Sequence, residues 1–282
     1  MKKMLRNIFL NKFKDIFYML INSKLKYFEF EKIEVRIKKN CKLGKKNTIL
    51  STRIDQIITP NILKNGKWEY FTIKFILKCI KNKKQKFDFI DIGANIGLTT
   101  KQLINNNTYI KHFHCIEPEI VNFNILKSNL IEYKNVHFHN FALTNKKGGT
   151  QQIYLSKDNF GDYSLLKKPK EKSCLIKTLN INHFFKKIVT KHKIKNIIYK
   201  SDTQGFDEIL LLSLKEEFLK KINILVIEIS NFDYLKNHMI DLINIFKKFE
   251  HIEDEYGNKI DDNEIEIKIN KKVEFNLFLS RN

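Results

Sequence analysis

From Lys86 onward the chain alternates short apolar runs with amphipathic stretches about once every 25 residues, and this rhythm limits the folds open to it. FDFIDI (87–92) precedes a predicted helix near 97–105, HFHCIE (112–117) one near 119–131, and VHFHNFA (136–142) is a third strand. IIYKSD (197–202) precedes a helix near 206–219 and ILVIEI (224–229) one near 234–248. The tail holds a candidate strand at 273–280, VEFNLFLS, with no comparable helix after it. Strands alternating with helices predict a mostly parallel sheet covered on both faces. Such sheets bind ligands beyond the carboxyl ends of their strands. The loops after residues 92, 117, 142, 202 and 229 should therefore share one rim.

Residues 1–85 read differently, as a basic region placed before a domain spanning 86–282. Residues 1–87 hold 23 Lys and Arg against six Asp and Glu, whereas the remainder holds 29 against 25. A net +17 concentrated in one third of the chain points to an anionic partner: a membrane surface, nucleic acid or an acidic glycan. Only Arg6, Arg36, Arg53 and Arg281 are arginines among the 52 basic residues, which argues against nucleic acid, whose readers favour the planar Arg fork. In residues 4–21, Leu5, Ile8, Phe9, Phe13, Ile16, Phe17 and Leu20 fall on one helical face. Packing on the protein's own body or on a second subunit, as in a homodimer, is one expectation for this helix. Attachment to anionic lipid through residues 1–21 is the other. Residues 27–58 look β-rich, and a helix is predicted over Lys67–Ile80. Charges interrupt the first apolar stretch and no spanning run occurs, so the expectation is a cytoplasmic protein, peripheral to the inner membrane face. The four cysteines include no CxxC pair, which argues against a structural zinc site and for free thiols.

The first rim loop reads Asp91-Ile92-Gly93-Ala94-Asn95-Ile96-Gly97-Leu98-Thr99-Thr100. Gly93 permits a sharp turn, Gly97 a close helix approach, and Asn95 tolerates left-handed backbone. A dinucleotide fingerprint would place glycine at 95 and 98, so NAD is disfavoured. The second loop supplies Glu117-Pro118, and a carboxylate there can accept both hydroxyls of a ribose. The third supplies Asn140-Phe141-Ala142. The fourth supplies Asp202, a chain break at Gly205, and Asp207 near a helix's first turn, where the dipole favours an acid.

In order and spacing, FIDIGANIG, CIEPE, NFALTNKKG, IKTLN, IYKSDTQGFDEIL and LVIEIS closely resemble the FkbM-type family of S-adenosylmethionine-dependent methyltransferases. The likeness spans roughly residues 86–230, with a weaker stretch at Thr59–Phe71. It implies the Rossmann-like class I methyltransferase fold, an α/β architecture whose seven-stranded, mostly parallel sheet ends in an antiparallel strand. It also implies S-adenosylmethionine as cofactor. By this resemblance Asp91, Gly93, Asn95 and Gly97 form the methionine-side loop, Glu117 the ribose acid and Asn140, Phe141 and Ala142 the adenine edge. Thr99, Pro118 and Asp202 are counted with these cofactor-binding positions. The sequence departs from the family at Ser201, Phe206 and Asp207, where an aliphatic residue, a small residue and Glu are usual.

The family generally O-methylates hydroxyls of sugars or glycosylated products, so the resemblance implies a saccharide or glycoconjugate acceptor. A hydroxyl needs a base or a metal to take its proton. Asp202, Asp207 and Glu228 are the candidate catalytic acids, with His238 a further base, and Asp202 with Asp207 or Glu228 could hold one Mg²⁺. Glu228 could equally anchor a loop. An insert around 143–195, carrying Asn159 to Ser164, is expected to face the acceptor. Two other readings stand beside this one. Phe206 and Ser201 fit a scaffold module that keeps the fold without turnover. A nucleic-acid methyltransferase fits less well, because SDTQGF stands where such enzymes carry an Asn/Asp-Pro-Pro-aromatic loop. His112/His114 and His137/His139 share strand faces, and ordinary strand positions are expected for them.

Overall fold

All six residues of Phe87–Ile92 (β3) are buried, including Asp88 and Asp91, which places this strand in the middle of a sheet covered on both sides. The computed structural model describes residues 32–281 apart from 38–40, 46, 82, 84, 107–108, 157–158 and 167–171. The amphipathic helix predicted over 4–21, with its membrane or dimer role, lies outside the described residues.

On one side of β3 run Ile110–Ile116 (β4) and Val136–His139 (β5), and on the other Ile197–Ser201 (β9) and Ile222–Ile229 (β10), all parallel. Phe275–Ser280 (β12) then pairs antiparallel with β10, and His251–Glu253 (β11) with β12. The order β11-β12-β10-β9-β3-β4-β5, with β12 the reversed strand, is the class I methyltransferase arrangement. The chain turns from building one half to building the other between β3 and β9, and the loops after these two strands diverge there. Helices Leu98–Asn106 (α3), Ile120–Leu130 (α4), Ile181–His192 (α5), Asp207–Ser213 (α6), Glu216–Leu219 (α7) and Phe232–Phe246 (α8) connect the strands.

Three of the predicted elements differ in the structure. The strand predicted over 136–142 breaks at Asn140, whose side-chain amide donates to the carbonyls of Glu117 and Pro118. Beyond it Ala142–Thr144 (β6) joins a separate sheet with Gly149–Leu155 (β7) and Lys172–Asn180 (β8). The helix predicted over 206–219 is two. Leu214 is extended, and the Lys215 N–H turns to Asn182 Oδ1 at 2.8 Å instead of continuing the helix. Asp262–Asn270 (α9), opened by a capping box between Asp261 and Glu264, has no counterpart in the apolar pattern.

The segment ahead of β3 packs on the domain. Ile33–Ile37 (β1) and Thr48–Thr52 (β2) form an antiparallel pair. With Ile58–Asn65 (α1) they bury Val35, Leu50, Ile58 and Ile62 against Ile96, Leu98 and Ile125. The helix predicted from Lys67 starts at Tyr70 (α2, Tyr70–Ile80), and its Phe75 ring meets Phe278 of β12 at 5.5 Å. Buried Asn129 of α4 fixes the dock. Its oxygen accepts from Ser51 N–H at 2.8 Å, and its amide donates to the Ser51 and Ile96 carbonyls, both at 2.9 Å. Replacing it by an apolar residue strands three buried backbone groups, each costing about 1–3 kcal/mol to leave unpaired. Asn129→Leu should therefore lower unfolding free energy by about 3 kcal/mol. Urea unfolding checks this, and a loss below about 1 kcal/mol would show that the dock does not depend on Asn129.

Candidate cofactor cleft at the carboxyl ends of the strands

The two loops at the switch point touch. Gly93 has φ +76, and a Cβ added there would stand 1.9 Å from the Asp202 carbonyl oxygen, so only glycine lets the β3 loop pass the β9 loop. Asn95 takes the left-handed conformation at φ 49, as its residue type allows. Gly97 is fixed by packing, since a Cβ would press on Leu130 and Leu126 of α4. Gly93 and Asn95 form the near wall of a cleft that Ala94, Thr99, Glu117, Pro118, Ala142 and Asp202 also line, whereas Gly97 faces α4 behind it.

Glu117 closes the second loop onto the first. One carboxylate oxygen accepts from Asn95 N–H and the other from Glu119 N–H, both at 2.9 Å. Burial pushes its pKa up to about 8, with the two N–H donors opposing the rise. Pro118 stands beside it, and Asn140 holds this corner through the two carbonyl bonds. Phe141 does not line the cleft; it packs on Phe184 of α5 at 5.8 Å.

Asp91 lies beneath the cleft floor, fully buried. Thr100 Oγ1 donates to one of its oxygens at 2.9 Å, and Lys200 Nζ, from the neighbouring strand, stands 3.3 Å from the other. Lys200 also reaches Glu69 at 3.6 Å. Glu69, at the left-handed turn before α2, accepts from Thr99 Oγ1 and Trp68 Nε1, each at 3.1 Å, and burial raises its pKa. Glu69, Trp68 and Lys200 all line the cleft. Residue patterns did not single them out, although Trp68 and Glu69 fall in the stretch Thr59–Phe71 with weaker family likeness.

The candidate catalytic acids separate. Asp202 faces the cleft and accepts from Gln204 Nε2 at 2.8 Å. Asp207 is fully buried, taking Ser201 Oγ and the Thr203 N–H, and burial lifts its pKa to about 7. Glu228 is buried behind Gln204, whose amide reaches it at 3.4 Å, and burial followed by Asp202 and Asp207 raises its pKa. The Gln204 amide thus reaches both Asp202 and Glu228. His238 stacks on Tyr234 and pairs with Asp241 on α8, away from the cleft lining.

Residues 159–165 roof the cleft. Asn122 Nδ2 donates to the Phe160 carbonyl at 2.9 Å, and the Arg53 guanidinium lies 3.7 Å from the Phe160 ring centre. Arg53 is itself held by Glu119 and Asn122, at 3.1 Å each. Ser164 Oγ donates to the Gln204 carbonyl at 2.6 Å, joining roof to floor. The predicted acceptor-facing segment thus covers the site, pinned by an arginine from the front segment. Among the described residues, the buried Asn95 Oδ1 has no hydrogen-bond partner.

No known family profile and no curated protein matches the sequence. Among solved structures, the chain is similar to a methyltransferase FkbM from Methylobacillus flagellatus KT, at 16% identity and TM-score 0.44, over 76% of this chain and 48% of that one. It is also similar to a precorrin-6y C5,15-methyltransferase from Geobacter metallireducens GS-15, at 9% identity and TM-score 0.39, over 82% and 94% of the two chains. A human methyltransferase 10 domain containing protein is similar at 10% identity and TM-score 0.36, over 81% and 88%. This chain spans about half the length of the first of these. The class I architecture itself rests on the strand order and directions described above.

Raised carboxylate pKa values make stability depend on pH. In the ligand-free protein folded Glu117 keeps its proton up to about 8, whereas the unfolded chain releases it near 4.5. Its contribution is complete below 4.5 and is lost as pH rises through 8. Between about pH 8.5 and 6.5, unfolding free energy should rise on acidification, and Glu117→Gln should remove about 1–2 kcal/mol of that rise. An equal slope in wild type and variant would show that Glu117 is ionised in the folded protein.

Proposed function

We propose that this protein is an S-adenosylmethionine-dependent O-methyltransferase acting on a hydroxyl of a saccharide or glycoconjugate. The observation that carries the reading is the joining of Glu117 to Asn95 at the switch point, with Asp202 on the same cleft. The donor set fits the cofactor. Glu117 offers oxygens to a ribose diol, the unpartnered Asn95 oxygen awaits a donor, and Glu69 and Asp202 place negative charge where a sulfonium would be held. When bound, S-adenosylmethionine supplies the electrophilic methyl group.

The chain's own residues then have separable roles. Glu117 binds and orients, and Asn140 holds its loop. Gln204 occupies one Asp202 oxygen, leaving the other to take the proton of the acceptor hydroxyl. Asp207 and Glu228 fix the turn behind Asp202, which the buried contacts of both acids support. The roof excludes water and aligns the acceptor. Phe160, Tyr163, Trp68 and Phe206 offer apolar faces, while Asn159, Asn122 and Gln204 offer amides. That mixture suits a sugar, with its C–H faces and ring of hydroxyls. The basic first third supports work at an anionic surface such as a membrane bearing lipid-linked glycans.

A radiolabelled methyl-transfer screen over lipid-linked sugars, polysaccharides and nucleic acids tests the reading. Label should appear on a saccharide. Label on nucleic acid would overturn the acceptor class, and cofactor binding without transfer would favour a scaffold. Asp202→Asn should lower kcat about 10²–10⁴-fold while S-adenosylhomocysteine affinity changes little. Equal turnover would remove Asp202 as the base. Glu117→Ala should weaken S-adenosylhomocysteine binding by about 2–3 kcal/mol in a calorimetric titration.

A further inference from the structure

His112 and His137 stand near the amino-terminal ends of β4 and β5, and α5 ends over them at His192. The cleft lies at the opposite ends of these strands, four residues along β3 from Asp88, or roughly 13 Å. One ring nitrogen from each histidine lies within 4.8 Å of those of the other two, and all three rings are half-buried. The ring centres are 4.5 Å apart for His112 and His192, and 4.7 Å for His137 and His192. Buried Asp88 meets His112 Nδ1 at 2.7 Å, which turns Nε2 away from the carboxylate as a free donor of electrons. His137 Nε2 is buried and has no hydrogen-bond partner among the described residues. Nothing in the methyl-transfer chemistry uses these groups.

Three converging imidazoles gain little from one another, because neighbouring lone pairs repel and buried ring nitrogens lose their water. A shared Lewis acid removes both costs. We propose that His112, His137 and His192 bind one zinc-class transition-metal ion, with Asp88 as the positioning residue that fixes the His112 ring. Imidazole nitrogens suit zinc, copper and nickel, whereas Mg²⁺ wants oxygen ligands. Zn–N bonds near 2.0–2.1 Å set ligand nitrogens roughly 3.4 Å apart, so the rings draw in by about 1.4 Å, with His192 carried by the last residue of α5. Among the described residues the cluster offers three ligand atoms, and water completes the tetrahedron. The ion would tie α5 to β4 and β5 at the base of the sheet and act as a clamp, outside the methyl-transfer site. The absence of CxxC bears only on thiolate sites; His192 joins the strand histidines through the fold alone.

Untagged full-length protein, stripped with a chelator, should take up one Zn²⁺ per chain in equilibrium dialysis and none of added Mg²⁺. At about a hundred times Kd, Zn²⁺ should raise Tm by roughly 5 °C, and Co²⁺ should give the visible bands of a four-coordinate ion. His192→Gln and His137→Gln should each abolish the stoichiometric site, and Asp88→Asn should weaken it about ten-fold or more. S-adenosylhomocysteine binding should stay unchanged in His192→Gln, showing that the variant is folded. Uptake below one ion per chain would overturn the site, as would uptake or a Tm rise unaltered in a His192→Gln protein that still binds S-adenosylhomocysteine.

Discussion

A fully buried lysine sits between the two central strands, and the cleft is arranged around it. Lys200 on β9 is paired in register with Asp91 on β3, and Glu69 approaches from the front segment. Burial alone would push Lys200 down, but Glu69, Asp91 and Asp202 outweigh it and hold its pKa above the ordinary lysine value. A charge in that position is tolerated only while its partners are in place. It therefore binds together the two halves of the sheet, the turn before α2 and the loop that carries Asp202. Thr100 and Thr99 extend the same network into α3 through Asp91 and Glu69.

The consequence is a division of labour by depth. Asp91, Asp207 and Glu228 lie behind the cleft surface and hold backbone or partner side chains. Glu117 and Asp202 line the cleft, Glu117 oriented by the Asn95 and Glu119 N–H groups and Asp202 by the Gln204 amide. The front segment is part of this site as well as a basic extension. It supplies Trp68 and Glu69 to the lining and Arg53 to the roof, and Asn129 locks β2 to the loop between β3 and α3.

The sequence made the central strands legible because they are buried on both faces. FDFIDI and ILVIEI leave no polar alternation, and the Gly, Asn or acid at each strand end marks where the chain leaves the sheet. The cleft residues in those loops were legible for the same reason. Glu69, Arg53 and Lys200 were not, because their meaning lies in contacts between distant segments. The sheet β6-β8-β7 is not legible because β6 is only three residues long and β7 and β8 are half-exposed and mixed in polarity. Helix α9 was hidden by Ile265, Ile267 and Ile269, whose spacing of two reads as a strand. Its capping box, Asp261 with Glu264, was the signal that could have revealed it.

The central claim is that the cleft joining Asn95, Glu117 and Asp202 holds S-adenosylmethionine. A crystal structure of the protein with S-adenosylhomocysteine tests it most directly. Both ribose hydroxyls should lie within hydrogen-bond distance of the Glu117 carboxylate, with the sulfur on the side of the cleft that Asp202 faces. Density for the ligand away from Glu117, or ribose hydroxyls turned from it, would contradict the account.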